Sequence, residues 1–226
     1  MPNPLIREAV AGLPQSLLER SGSVFYSGQS AFAKPSDVYI LGLNPGGDAI
    51  SQSTNTIGLH IENWSTNLEP FSAYLDEAWN GRPKGASGMQ PRVNHLANSL
   101  RLDLRSTPSG NLVFARSQRA AALGSEAADL ITICWPVHAA VVESLRVRLI
   151  ICFGHLCGKA VRARLRANHK IGSFRETYPN RSWESAAHCN SAGHVVLTLT
   201  HPSIADWTNG NADPSHFVVK VMEEFR

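Results

Sequence analysis

The stretch Val38-Tyr39-Ile40-Leu41-Gly42-Leu43 most restricts how this chain can fold. It is apolar on both faces and stops abruptly at Asn44-Pro45-Gly46-Gly47. A run this short reads as a strand rather than a helix. With no polar face, it belongs inside a parallel sheet covered on both sides. The turn lies at the strand's C-terminal end, where open α/β sheets hold their ligands. Pro45 fixes its own φ and lacks a donor, while Gly46 and Gly47 tolerate positive φ and close approach by another molecule. Asn44 is thereby held on a stiff turn at the sheet's edge. An Asn-Pro-Gly turn is also an ordinary chain reversal, so any function needs partners elsewhere in the sequence.

Three further runs read as strands: Asn111 to Ala115, Arg148 to Gly154, and Gly193 to Thr200. Between them lie helical patterns. Leu5, Val10, Leu13, Leu17 and Leu18 mark an N-terminal helix, followed by a Ser/Gly-rich lead-in to residue 36. Glu69-Pro70 reads as the start of a helix carrying Phe71, Tyr74, Leu75, Ala78 and Trp79, ended by Gly81. Val93 to Leu102 is a third. A long helix spans about 124–146, kinked near Trp135-Pro136. Gly158 to Lys170 is a fifth, and Asp213-Pro214 opens the last, with Phe217, Val218, Val221 and Phe225 facing inward. Residues 48–67 read as a long polar loop, and 171–194 as an irregular excursion around Trp183. This alternation predicts one domain over residues 1–226: a three-layer α/β/α sandwich around a central, mostly parallel four-stranded sheet.

Composition removes several function classes. A hydrophobic share of 43% against 17% charged residues describes a globular chain, not a disordered one. The net charge of +3 permits contact with a phosphate backbone without demanding it. The cysteines, at 134, 152, 157 and 189, form no Cys-x-x-Cys pair. Together with His155 and His188 they have no regular zinc spacing, and they are not a disulfide framework. No signal peptide or membrane-length run is visible. The nearest, Ala127 to Val142, contains Asp129, Pro136 and His138, so a reducing cytoplasm is expected. Phosphate-binding Gly-Lys-Ser/Thr loops, Gly-x-Gly-x-x-Gly and Gly-x-Ser-x-Gly are all missing. This argues against nucleotide hydrolases, dinucleotide dehydrogenases and serine hydrolases. The strand-end turns also carry no carboxylate pair of the kind glycoside hydrolysis uses.

They carry instead Asn44 after strand one, Asn111 at the opening of strand two, and His201 after strand four. Gly42-Leu43-Asn44-Pro45-Gly46 resembles the first motif of the uracil-DNA glycosylase superfamily, closest to its mismatch-specific and single-strand-selective branches. His201-Pro202-Ser203 resembles the last motif, and Asn111-Leu112-Val113 the strand whose Asn reads the base edge. Phe153-Gly154 with Gly158-Lys159-Ala160 looks like the third strand and the helix after it. The resemblance covers residues 37–226, apart from 48–67 and 171–194.

This resemblance implies a monofunctional DNA glycosylase that removes uracil or another deaminated base from DNA. It implies a monomer with no metal, organic cofactor or membrane partner. Asn44 would orient the attacking water, and, being an amide, would support slower chemistry than a carboxylate. Asn111 would read the base edge, and His201 would stabilise charge on the departing base. Trp64 is the favoured stacking partner, ahead of His60 and Phe71, and Ser203 would meet a phosphate. Gly42, Leu43, Pro45, Gly46 and Pro202 complete the substrate-binding set. Gly46 replaces the Tyr that blocks 5-methyl groups in the uracil-specific branch, leaving room for a broader range of bases. Ile204-Ala205-Asp206-Trp207 departs from the family where a side chain usually enters the base stack, with Ile204 or Trp207 as the candidate wedge. Two other readings stay open: a base- or nucleotide-binding module on the same fold without catalysis, and a hydrolase of free nucleosides.

Overall fold

The computed structural model describes residues 2–178 and 180–224. The strands are β1 (Val38–Gly42), β2 (Ser109–Asn111), β3 (Leu149–Phe153), β4 (His169–Arg175), β5 (Glu184–Cys189) and β6 (Val195–Leu199). The α-helices are α1 (Pro4–Ala11), α2 (Gln15–Leu18), α3 (Ile57–Thr66), α4 (Ala73–Asp76), α5 (Gln90–Ser99), α6 (Ala127–Ser144), α7 (His155–Leu165) and α8 (Ser215–Glu224). The strands form one six-stranded sheet in the order β2-β1-β3-β6-β5-β4. β2, β1, β3 and β6 run parallel, whereas β5 is antiparallel to β6 and β4 to β5. The chain is thus a single α/β domain on a mixed, mostly parallel sheet.

Alternation along the strands sends side chains into two cores. Tyr39, Leu41, Ile150, Cys152 and Val196 join Ile6, Val10, Val137, Val141 and Val161 from α1, α6 and α7. Val38, Ile40, Leu149, Ile151, Phe153 and Leu197 join Val93, Leu96, Val218, Val221 and Trp207. Neighbouring residues on one strand therefore bury in opposite directions, as a period of two requires.

The four expected strands are present, but the sheet has two more. β4 begins inside the stretch expected to be helical. Arg166 ends α7 in the left-handed conformation, φ 54°, and the chain turns back into β4 within three residues. The sequence conceals β4 because none of its residues is fully buried, so it shows no apolar alternation. The expected helix over 69–81 shrinks to α4. The polar loop over 48–67 contains α3, capped by Thr56, whose Oγ1 accepts from Leu59 N at 3.1 Å. Strand two ends at Asn111 rather than beginning there. Beyond it, Leu112 N and Val113 N still donate to Gly42 O and Leu43 O at 2.9 and 2.8 Å. Residues 21–27 of the lead-in cover the outer edge of β2, with Tyr26 N donating to Ser109 O at 2.8 Å and Ser23 N to Phe114 O at 3.0 Å. α6 runs through Pro136 as one helix. α8 buries Val218 and Val221 as expected, while Phe225 lies outside the described residues. No described helix is long and apolar enough to cross a membrane.

Candidate functional site

The strand order reverses between β1 and β3, which is where a doubly wound sheet opens a crevice at its C-terminal edge. A cavity of about 1190 Å³ occupies that edge. Gly42, Leu43 and Asn44 reach it from β1, Asn111 from β2, Phe153 and Gly154 from β3, and Thr200, His201 and Ser203 from β6. The three polar side chains singled out in the sequence therefore share one space.

Asn44 is held by the segment that follows β2. Its Nδ2 donates to Pro45 O (2.8 Å), Ser117 Oγ (2.9 Å) and Ser117 O (3.1 Å). Ser117 Oγ gives its own proton to Arg119 O at 3.0 Å, so it can only accept from the amide. The nitrogen end of Asn44 is therefore engaged, and the carbonyl Oδ1 is the atom left for a ligand. Arg116 Nη1 donates to Gly46 O, and its Nε to Ser21 Oγ at 3.1 Å. A Cβ at Gly46 would meet no atom within 4 Å, so the wall is open there.

His201 has a defined tautomer. Ser203 N donates to its Nδ1 at 3.1 Å, and Ser203 Oγ lies 2.7 Å from the same atom. A backbone N–H can only donate, so Nδ1 is unprotonated and the neutral ring carries its hydrogen on Nε2. Burial lowers the imidazole pKa from its usual 6.5 and keeps the ring neutral. Phe153 meets the ring edge-on, with centroids 6.5 Å apart. Gly154 has φ +87°, and a Cβ on it would contact His201 Cβ and Cδ2 at 3.5 Å. The turn is tied to α5 because Arg92 Nη1 donates to Pro202 O at 2.6 Å.

Asn111 is 2% exposed, and its Nδ2 has no hydrogen-bond partner among the described residues. Tyr74 OH and Thr200 Oγ1, from two other side chains of the same cavity, are likewise buried without partners. Each such group costs about 1–3 kcal/mol. With Gln52 Oε1, also buried without a partner, four of them surround one cavity and indicate a lining built for polar contact. A Cβ at Gly42 would come within 2.6 Å of Asn111 Oδ1, so the glycine is what lets the Asn pack there.

Other expected residues sit elsewhere. Trp64 is only 8% exposed and packs against Phe25 and Phe32, with centroids 4.8 and 5.7 Å apart. Its Nε1 donates to Ser27 O at 3.1 Å. It is a core residue of α3 and cannot stack on a ligand in this cavity, because α3 turns that face toward the N-terminal segment. Trp207 is fully buried against Phe153, which removes it as a wedge, whereas Ile204 is 55% exposed. Pro45 and Pro202 shape their turns without lining the cavity. Of the three stacking candidates, only His60 lines it. Its Nδ1 lies 3.4 Å from Val24 N, and burial lowers its pKa to about 4.

Several lining residues escaped the sequence reading. Tyr26, Tyr74, Trp79 and Trp183 supply aromatic surface, and Arg116 and Ser117 clamp the first turn. Glu77 places a carboxyl on the wall, where it accepts from Trp79 Nε1 at 2.6 Å and burial raises its pKa. The signal available for Arg116 and Ser117 was a polar run directly after a buried strand, the position at which sheet ligands bind. Among the described residues, no group of three or more His, Cys, Asp or Glu is arranged to hold a metal ion. No protein-family model matches the chain, and no curated protein matches it either.

Proposed function

We propose that this chain is a monofunctional DNA glycosylase of the uracil-DNA-glycosylase kind, built on a three-layer α/β/α sandwich. It hydrolyses the N-glycosidic bond of uracil or another deaminated base in DNA, as a monomer and without a cofactor. The observation that carries this reading is His201, fixed as a neutral Nε2–H donor in the same cavity as Asn44 and Asn111.

The chemistry follows from those groups. Water adds to the sugar's C1′, the bond to the base nitrogen breaks, and its electron pair leaves with the base. The developing anion sits on a carbonyl oxygen that accepts from His201 Nε2–H. A preorganised donor of this type contributes about 3–4 kcal/mol to the transition state. Asn44 Oδ1 accepts from the attacking water and orients it, and the proton that the water loses passes to solvent. Asn111 Nδ2 finds its missing acceptor in a base carbonyl, which favours deaminated bases over amino-bearing ones. The open wall at Gly46 admits a substituent on the base ring.

A second reading, a base-binding module without turnover, is favoured by one observation: the amide of Asn44 takes no proton. Base release from labelled single-stranded and duplex oligonucleotides containing uracil, hypoxanthine, xanthine or mismatched thymine separates the two. It is run at low salt because phosphate contacts are salt-sensitive. Release suppressed by both Asn44→Ala and His201→Ala supports the glycosylase. DNA binding with no release from any substrate supports the module.

A further inference from the structure

The hairpin of β4 and β5 lies outside every motif used so far, yet its tip reaches the cavity through Trp183. This side chain is 37% exposed, an unusual state for the largest apolar residue. It is also firmly held. The Arg181 guanidinium lies between two rings, 4.4 Å from the centroid of Tyr178 and 4.1 Å from that of Trp183. Arg181 is fixed in turn by Glu176, whose Oε2 accepts from its Nε at 2.8 Å and whose side chain is 1% exposed. Arg181 Nη1 also donates to Ile204 O at 3.2 Å, which ties the hairpin to the loop that carries His201. One face of the indole is therefore backed by an anchored cation. Trp183 and the exposed Ile204 both line the cavity.

We propose that Trp183 is a second nucleobase subsite: a stacking platform for the base next to the one held in the cavity, acting on single-stranded DNA. This rests on the glycosylase reading for the identity of the ligand. A rigid aromatic surface adds about 1–3 kcal/mol per stacked base and is indifferent to sequence. Of the residues where a duplex-opening wedge would sit, only Ile204 is exposed. Ala205 and Trp207 are buried, and Asp206 is paired with Arg92 at 3.3 Å. A single strand needs no wedge, only a place for its neighbouring base.

The probe is a short oligothymidylate containing one 2′-fluoro-uridine nucleotide, which resists hydrolysis, with either a normal base or an abasic residue on each side of it. Affinity for the full chain is compared with that of Trp183→Ala and Trp183→Phe, each first checked for an unchanged melting temperature. Trp183→Ala is expected to weaken binding of the fully based strand by about 5- to 150-fold. Trp183→Phe should retain most of the affinity, and the difference between native and Ala proteins should vanish on the strand lacking the neighbouring base. An Ala protein that binds both strands as the native protein does overturns the proposal. Base release by the native protein, measured separately on a hydrolysable strand, keeps the two readings apart. Release together with an indifferent Ala variant removes the platform and leaves the glycosylase. Platform-dependent binding without release upholds the subsite and removes the catalysis.

Discussion

The parallel half of the sheet and its antiparallel addition are built on opposite rules. β1, β3 and β6 are buried along their whole length and end in turns fixed by Pro45, Gly154 and Pro202. β4 has no buried residue and β5 buries only Ser185 and Ala187, and the hairpin that joins them reaches the cavity through Trp183. The first region holds side chains at defined positions through hydrogen bonds. The second offers surface. Chemistry requires fixed donors, whereas strand capture requires contact area. The two halves thus match the two demands of the proposed activity on one base within a polymer.

The sharpest way to break this comparison is to remove a group from the parallel half. His201→Ala is expected to slow base release by about 10²–10³-fold while leaving DNA affinity nearly unchanged, since the lost donor acts on charge that develops only in the transition state. Single-turnover rates beside binding isotherms check this. An equal loss in both would make His201 a binding residue and would erase the division of labour.

The next effect sharpens the comparison through stability. His138 on α6 is fully buried behind β1 and β2, with Nδ1 2.9 Å from Tyr39 OH and Nε2 3.1 Å from Leu112 O. The carbonyl can only accept, so Nε2 carries the hydrogen and Nδ1 accepts from the phenol. Burial lowers its pKa from 6.5 to about 4. The unfolded chain therefore binds a proton between pH 6.5 and 4 that the folded chain refuses. The contribution is complete above pH 6.5 and is lost as the pH falls toward 4. Over that range the native protein should lose about 3 kcal/mol more than His138→Gln, whose amide can keep both partners. Urea titrations across the range measure it. Equal pH dependence in the two proteins would show that the histidine does not hold this part of the core in its neutral form.

What could be read from the sequence follows the same boundary. The parallel strands announce themselves because burial on both faces forces unbroken apolar runs, and Asn44 and His201 follow because such runs end at the ligand edge. β4 stayed hidden because an exposed edge imposes no pattern on its residues, and β5 because its buried positions are the small residues Ser185 and Ala187 rather than an apolar run. Trp64 misled for a related reason. Its neighbours Glu62, Asn63, Ser65 and Thr66 are polar because they face solvent on α3, and only the two-turn spacing from Ile57 marks the buried side. Arg116 and Ser117 meet the first turn across some seventy residues, so only their place after a buried strand hinted at them.

A smaller effect tests how tightly the parallel half is fitted. Gly42→Ala would drive a methyl group to within 2.6 Å of Asn111 Oδ1. Overpacking of this kind costs about 1–3 kcal/mol, and Asn111 must move away from its place at the cavity floor. A lowered melting temperature should therefore accompany a loss of preference between uracil and cytosine in competition binding. Destabilisation with preference intact would mean that Asn111 does not read the base edge.

The smallest effect belongs to the antiparallel addition. Lys170 Nζ lies 2.8 Å from Glu184 Oε1 across the β4–β5 pair, and both side chains are open to solvent. Exposed pairs of this sort contribute about 0.2–1 kcal/mol, because water screens the attraction and ordering two long side chains opposes it. Lys170→Ala should shift the urea midpoint only slightly, and the shift should shrink as salt is added. Its larger consequence lies elsewhere. β4 is the edge of the sheet, and a charged lysine on an edge strand discourages pairing with a second chain. Sedimentation of Lys170→Ala at rising protein concentration should therefore show more association than the native protein does, while base release by the dilute protein stays the same. A change in release rate with no change in association would tie β4 to the cavity and end the separation of the two halves.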